Sequence, residues 1–286
     1  MRWSHSRPID SSLDSYPNDM EDQTSKVLNN TSYPPVGRCI YCSATDGLEK
    51  EHILPFGLRG TATLPESTCR TCATITGTFE QVVLCGPFWP VRVYRDLKSR
   101  TKHRDAPSTR PLTFVRDGKE QTIELKIDDY PTLLHFPLFA PPAYLTLSPD
   151  YKSGIIMSGI ASVLFGPRPD DVAKSLGATE LKLTANCQPA AFARMIAKIA
   201  YAFAAAERAT ADISGDPFVL PAILGQGDEI GRWVGTLTKP IEAHAGELHR
   251  IVIHHEKEKG LLSAEVQLFA DSQTPSYGVL LGKLKA

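Results

Sequence analysis

The chain has 286 residues, of which 42% are hydrophobic and 22% charged, and a net charge of −1, which suits one large or two ordinary domains with a sizeable core. A near-neutral balance excludes a global positive field, so a nucleic-acid partner has to be held by a local patch. The apolar run 155–165 is too short for a bilayer span and the run 190–206 is broken by Arg194 and Lys198, so no membrane contact is expected.

No apolar run follows Met1, so no secretory leader is expected and the chain reads as soluble and cytoplasmic. Residues 1–35 are rich in Ser, Asp, Asn and Pro with few large apolar residues, the composition of a disordered segment. Residues 36–90 form a cysteine-bearing module. Within it 48–53 reads as a short strand, Gly57 and Gly60 mark a turn, and Thr63-Leu64 forms a second strand ended by Pro65. From Cys69 to Leu84 the pattern is helical, with Ile75, Phe79, Val82 and Val83 on one apolar face, and Gly86-Pro87 stops it. Residues 91–111 read as an exposed basic connector carrying Arg92, Arg95, Lys98, Arg100, Lys102 and Arg104.

Residues 112–286 read as a larger second domain whose role the pattern does not specify. A hairpin is expected over 113–115 and 121–127 around Asp117-Gly118, and 133–138 and 143–147 look β-like. Pro169-Asp170-Asp171 is a helix start, and 188–208 is the clearest helix, with Phe192, Met195, Ile196, Ile199 and Phe203 in register. Strands are expected over 248–254, 262–269 and 277–281. The fold class is α+β, a small cysteine-bearing module followed by a larger α+β domain. Nothing in the pattern specifies an oligomeric state.

Four of the six cysteines form two pairs, Cys39-x2-Cys42 and Cys69-x2-Cys72, separated by twenty-six residues. Two residues between thiolates let both sulfurs turn onto one cation, and four such ligands complete the tetrahedron of a structural zinc site. In a chain read as intracellular, paired cysteines point to metal before disulfide. Cys85 and Cys187 stand alone and read as small buried hydrophobes. Between the pairs lies Glu51-His52. On a strand these two side chains face opposite ways, which suits a site where one residue holds a cation and its neighbour, with a pKa near that of water-activating bases, works from elsewhere.

Cys-Ile-Tyr-Cys (39–42), Glu-His-Ile-Leu-Pro (51–55), the turn to Gly60 and Cys-Arg-Thr-Cys (69–72) opening a helix together resemble the zinc-containing, cysteine-paired branch of the HNH endonuclease family. The likeness covers residues 38–84, and 76–88 and 191–207 also look like uncharacterised bacterial members. The resemblance implies a ββα-metal fold and metal-dependent hydrolysis of phosphodiester bonds, in DNA rather than RNA. By the same resemblance His52 is the general base and Glu51 binds the catalytic ion, Mg2+ or a similar hard cation.

The chain departs from the family at Ala73, where Asn or His usually supplies the second metal ligand. Glu80 shares that helix face and is the substitute, seven residues or roughly 10 Å further along. The basic connector would grip phosphates beside the site. Ala73 also supports a different reading, a zinc-stabilised nucleic-acid-binding module with weak or no catalysis. A third makes the module a small stabilising element for the larger domain.

Overall fold

A computed structural model describes residues 31–97, 108–146, 154–183 and 186–285. Most of the segment expected to be disordered, 1–30, lies outside the described residues, as do Lys98, Arg100, Lys102 and Arg104 of the basic connector. Thr31, Ser32 and Tyr33 lie beside the second strand of the module instead of being loose. Ser32 bridges Thr63, the backbone N–H of Tyr33 donates to Thr63 O at 3.0 Å, and its hydroxyl reaches Glu207 at 2.6 Å.

The module folds as strand, strand, helix. β1 (Leu48–His52) pairs antiparallel with β2 (Thr63–Cys69), Leu48 opposite Cys69 and His52 opposite Thr63. β2 is longer than expected because Pro65 does not end it. Between the pairs Glu49↔Thr68 and Glu51↔Leu64 the chain bulges, and Glu66 takes a φ of 47°. A bulge accommodates a residue with no N–H to give to the ladder. α1 (Arg70–Cys85) follows at once, and its buried stripe is Cys72, Thr76, Phe79 and Val83. Val82, expected on that face, is 41% exposed. The stripe is rotated because Cys72 and Thr76 must face the hairpin.

The connector opens as a helix, α2 (Trp89–Tyr94), with Val91 buried. β3 (Thr109–Arg116) and β4 (Lys119–Lys126) make the expected hairpin, and Asp117 and Gly118 both take positive φ, 52° and 71°, as a two-residue turn of that hand requires. β5 (Thr132–Phe139) pairs with β6 (Met157–Phe165), and the run between them expected as a strand is a short helix, α3 (Ala143–Thr146). Pro141-Pro142 start it: a fixed φ presets a helical first turn, and Leu145 N–H donates to Pro142 O at 2.9 Å. α4 (Pro169–Leu176) has Pro at its start, two aspartates in its first turn and left-handed Gly177 at its end. β7 (Glu180–Lys182) joins the β3–β4 sheet.

α5 (Pro189–Ala206) is the centre of the molecule. Thirteen of its eighteen residues are buried, on every side, so it has packing partners all round. Behind it lies an antiparallel sheet of β8 (Ile213–Ser214), β9 (Val234–Thr236), β10 (His249–Glu256), β11 (Leu261–Leu268) and β12 (Ser276–Leu284), with the short helices α6 (Leu220–Ile223) and α7 (Ile230–Trp233) leading into it. In front lies the cysteine module, with α1 against α5. One continuous apolar cluster runs from Cys39 and Phe79 through Phe192 and Ile199 to Leu262 and Tyr277. The fold is α+β. Among the described residues no helix is long and apolar enough to cross a membrane.

Candidate metal centre and the buried lysine

The four paired cysteines converge. Their sulfurs all lie within 4.8 Å of one another, and Cys42 Sγ and Cys69 Sγ are 3.6 Å apart. All four are free thiols. Four sulfurs around one zinc at about 2.3 Å sit about 3.8 Å from each other, so the cluster fits a metal such as zinc. Each pair is placed by local backbone. Cys39 N–H donates to Ala44 O at 2.7 Å and Ser43 N–H returns to Cys39 O at 2.9 Å, with Ser43 left-handed at 62°, which folds the first pair into a tight knuckle. The second pair straddles the start of α1, with Cys69 its N-cap. There the backbone N–H of Cys72 holds the Cys69 thiol down at about 7, while burial pushes Cys72 well up. A bound cation would deprotonate both.

Glu51 and Glu80 also converge, as the resemblance requires of two metal ligands, but a side chain from another element stands between them. Lys198 of α5 places Nζ 2.5 Å from Glu51 Oε1 and 2.9 Å from Glu80 Oε1. The same ammonium donates to the backbone carbonyl of His52 at 2.5 Å. Lys198 is 1% exposed and Glu51 5%. Burial acts to lower the Lys198 pKa, and the charges of Glu51 and then Glu80 outweigh it, so the net shift is upward and the lysine is an ammonium. Tyr41 completes the cluster. Its hydroxyl is buried, and desolvation, then the charges of Glu51 and Glu80, push its pKa far up. A divalent cation at this pair of carboxylates would have to share a dry site with a fixed positive charge. The residues as arranged do not fit the expected Mg2+.

His52 points to the other face of β1, as alternation requires, and is part-exposed. Its Nδ1 lies 3.2 Å from Gly60 O and its ring packs edge-on against Phe56 at 5.8 Å. With Nδ1–H donated to that carbonyl, Nε2 is the basic nitrogen. Gly60 is held to this role sterically, since a Cβ there would lie 1.9 Å from Leu54 O.

Of the basic residues expected to grip phosphate, Arg92 and Arg95 are committed to the fold. Arg92 donates to Gly57 O at 2.8 Å and to Leu84 O at 2.9 Å, filling two carbonyls, one of them at the negative end of α1. Arg95 forms a two-pronged pair with Asp271, at 2.8 and 2.6 Å.

Three residues that no motif marks as part of a site tie the module to the rest. Lys198 was legible only as a charge interrupting an apolar run. Tyr201, one turn further along α5, donates to Ile40 O at 2.8 Å. His249 of β10 sits 2.8 Å from Leu58 O through Nε2 and accepts from Phe269 N–H through Nδ1, and burial depresses its pKa to about 4. A lone lysine in mid-helix, three residues from a core methionine, was the one signal available for the first. No family model, no curated protein and no solved structure matches this chain.

Proposed function

We propose that this chain is a nucleic-acid-binding protein built on a zinc-held ββα unit of HNH type, DNA being the partner, and that divalent-ion-dependent cutting is not its activity. The observation that carries the proposal is the Lys198 ammonium between Glu51 and Glu80. A hard divalent ion needs several oxygen ligands at about 2.0–2.6 Å and usually retained waters. Here one oxygen of each carboxylate already serves a buried ammonium, and removing it from a position 1% exposed would unpack α5. The zinc half rests on the sulfur geometry and is independent of this argument. The nucleic-acid half rests on the order of cysteine pair, Glu-His and cysteine pair over a hairpin and helix, which is the resemblance noted above.

The test uses the zinc-loaded full chain. Fluorescence anisotropy with a labelled duplex and a single strand at two salt concentrations should show binding that weakens with salt. Plasmid incubated with Mg2+ or Mn2+ should stay intact. Failure to bind either nucleic acid overturns the reading, and so does divalent-dependent nicking that Glu51→Gln abolishes.

A second reading has one observation in its favour. The His52 Nδ1 contact with Gly60 O orients an imidazole as a general base would be oriented. Hydrolysis of DNA by His52 without a divalent ion would appear as nicking with no added Mg2+ or Mn2+, lost in His52→Ala.

A further inference from the structure

A second site lies at the far end of α1, about 24 Å of helix from the cysteines. It is a pocket of about 230 Å³ where α1 turns into α2, lined by Pro87, Pro90, Arg110, Leu133, His135 and Asn186 among others. Arg110, on β3, lays its guanidinium 4.1 Å from the centre of the Tyr130 ring and 5.7 Å from that of Trp89. Ring contacts hold a guanidinium in place but satisfy none of its five N–H donors. Among the described residues Arg110 meets no carboxylate and no hydrogen-bond acceptor, in contrast to Arg92 and Arg95 beside it. His135 is oriented by Ser162, whose hydroxyl oxygen is 2.7 Å from Nδ1, and Asn186 brings a side-chain amide. Among the described residues no acidic side chain lines the pocket.

The negative pole of α1 would count against an anion here, but three of its last four carbonyls are already hydrogen-bonded. Gly86 N–H takes Val82 O, Phe88 N–H takes Val83 O, and Arg92 takes Leu84 O. What remains is one uncompensated cation with the side chains of His135 and Asn186, in a recess too small for a drug-sized ligand. That is the chemistry that recognises a phosphate group, because a guanidinium offers parallel N–H donors to a tetrahedral anion.

We propose that this pocket binds a phosphate group of a nucleic-acid strand, Arg110 supplying the charge and His135 and Asn186 the orienting hydrogen bonds. The phosphate specificity stands on the pocket alone. The strand as its carrier rests on the function proposed above.

Two measurements separate these. In the first, inorganic phosphate is titrated into the zinc-loaded full chain while the His135 ring proton, assigned through His135→Gln, is followed by NMR. A saturable shift in the wild type, absent in Arg110→Gln, is expected. In the second, the affinity of a labelled single strand is measured against salt. Arg110→Gln should weaken binding about tenfold or more and reduce the slope of log K against log salt by about 1. Asn186→Asp places a repelling carboxylate at an exposed position and should do the same without disturbing Arg110 on its rings. A His135 proton that ignores phosphate overturns the pocket. A phosphate response with strand affinity unchanged in both variants overturns the strand assignment. A wild type that binds no strand overturns the function proposed above, and the phosphate titration then decides the pocket by itself.

Discussion

Lys198→Met removes one charge and little volume, so it asks what the ammonium does without opening a cavity. In the wild type Nζ lies 2.5 Å from Glu51 and 2.9 Å from Glu80, with Lys198 almost fully buried. Deleting one partner of a buried ion pair leaves an uncompensated buried charge, at a cost of about 3–5 kcal/mol. For a chain of this length that is roughly 2 °C per kcal/mol, a fall of about 6–10 °C in Tm. Two bare carboxylates should then accept what the lysine kept out. Mn2+ at 100 times its dissociation constant would return about 2.7 kcal/mol, some 5 °C, to Lys198→Met and nothing to the wild type. Replacing the whole set, Glu51→Gln with Glu80→Gln and Lys198→Met, should recover much of the loss without any ion, because no charge stays buried. Thermal unfolding followed by circular dichroism on zinc-loaded protein, with and without Mn2+, reads all three. Equal stabilisation of wild type and Lys198→Met by Mn2+, lost in Glu51→Gln, would refute the claim that the ammonium holds the cation position. So would a Lys198→Met protein as stable as the wild type.

Purified protein should carry one zinc per chain by elemental analysis, and Cys69→Ser should lose it together with the cooperative melt, since the four thiolates are the only group of metal-ligand type found among the described residues. His249 is neutral in the fold, its pKa depressed from 6.5 to about 4. The unfolded chain takes up a proton below pH 6.5 and the folded one does not until about 4, so the contribution is complete above 6.5 and lost as pH falls through that window. The loss amounts to about 3 kcal/mol, and urea titrations between pH 6 and 4.5 should show a slope about 1.4 kcal/mol per pH unit steeper in the wild type than in His249→Gln. Gly60→Ala would drive a methyl to 1.9 Å from Leu54 O. A shift of the loop that also releases His52 is expected, read as a Tm lowered by several degrees and a changed His52 ring-proton resonance; an unchanged melt would mean that the turn yields freely.

The elements that could be read from the sequence are those specified within a few residues. The cysteine spacing, the Glu-His alternation and the stop at Gly86-Pro87 act locally, and the strand, strand, helix order follows from them. The α5 helix was legible for the same reason. Three things were not. Residues 143–146 carry β-favouring Tyr and Thr, yet Pro141-Pro142 ahead of them set a helical turn. Arg92 sits in a charge run that reads as solvated, while its hydrogen bonds go to carbonyls at Gly57 and Leu84, which only the folded loop presents. Lys198 is 146 residues from His52 in the chain, and its partners exist only after α1 has docked on α5. No pattern confined to one segment encodes a contact of that range.

The ties from the larger part of the chain to the module share a property. Lys198 takes the carbonyl of His52, Tyr201 that of Ile40, and His249 that of Leu58. Apart from the ion pairs of Lys198 with Glu51 and Glu80, these contacts grip the path of the main chain and not the identity of a side chain. The module is therefore held by its backbone path and the carboxylates of Glu51 and Glu80, and exchanging the side chains it displays to solvent leaves its docking in place. Residues such as Ala73 are free to change what the module does to a partner without loosening where it sits.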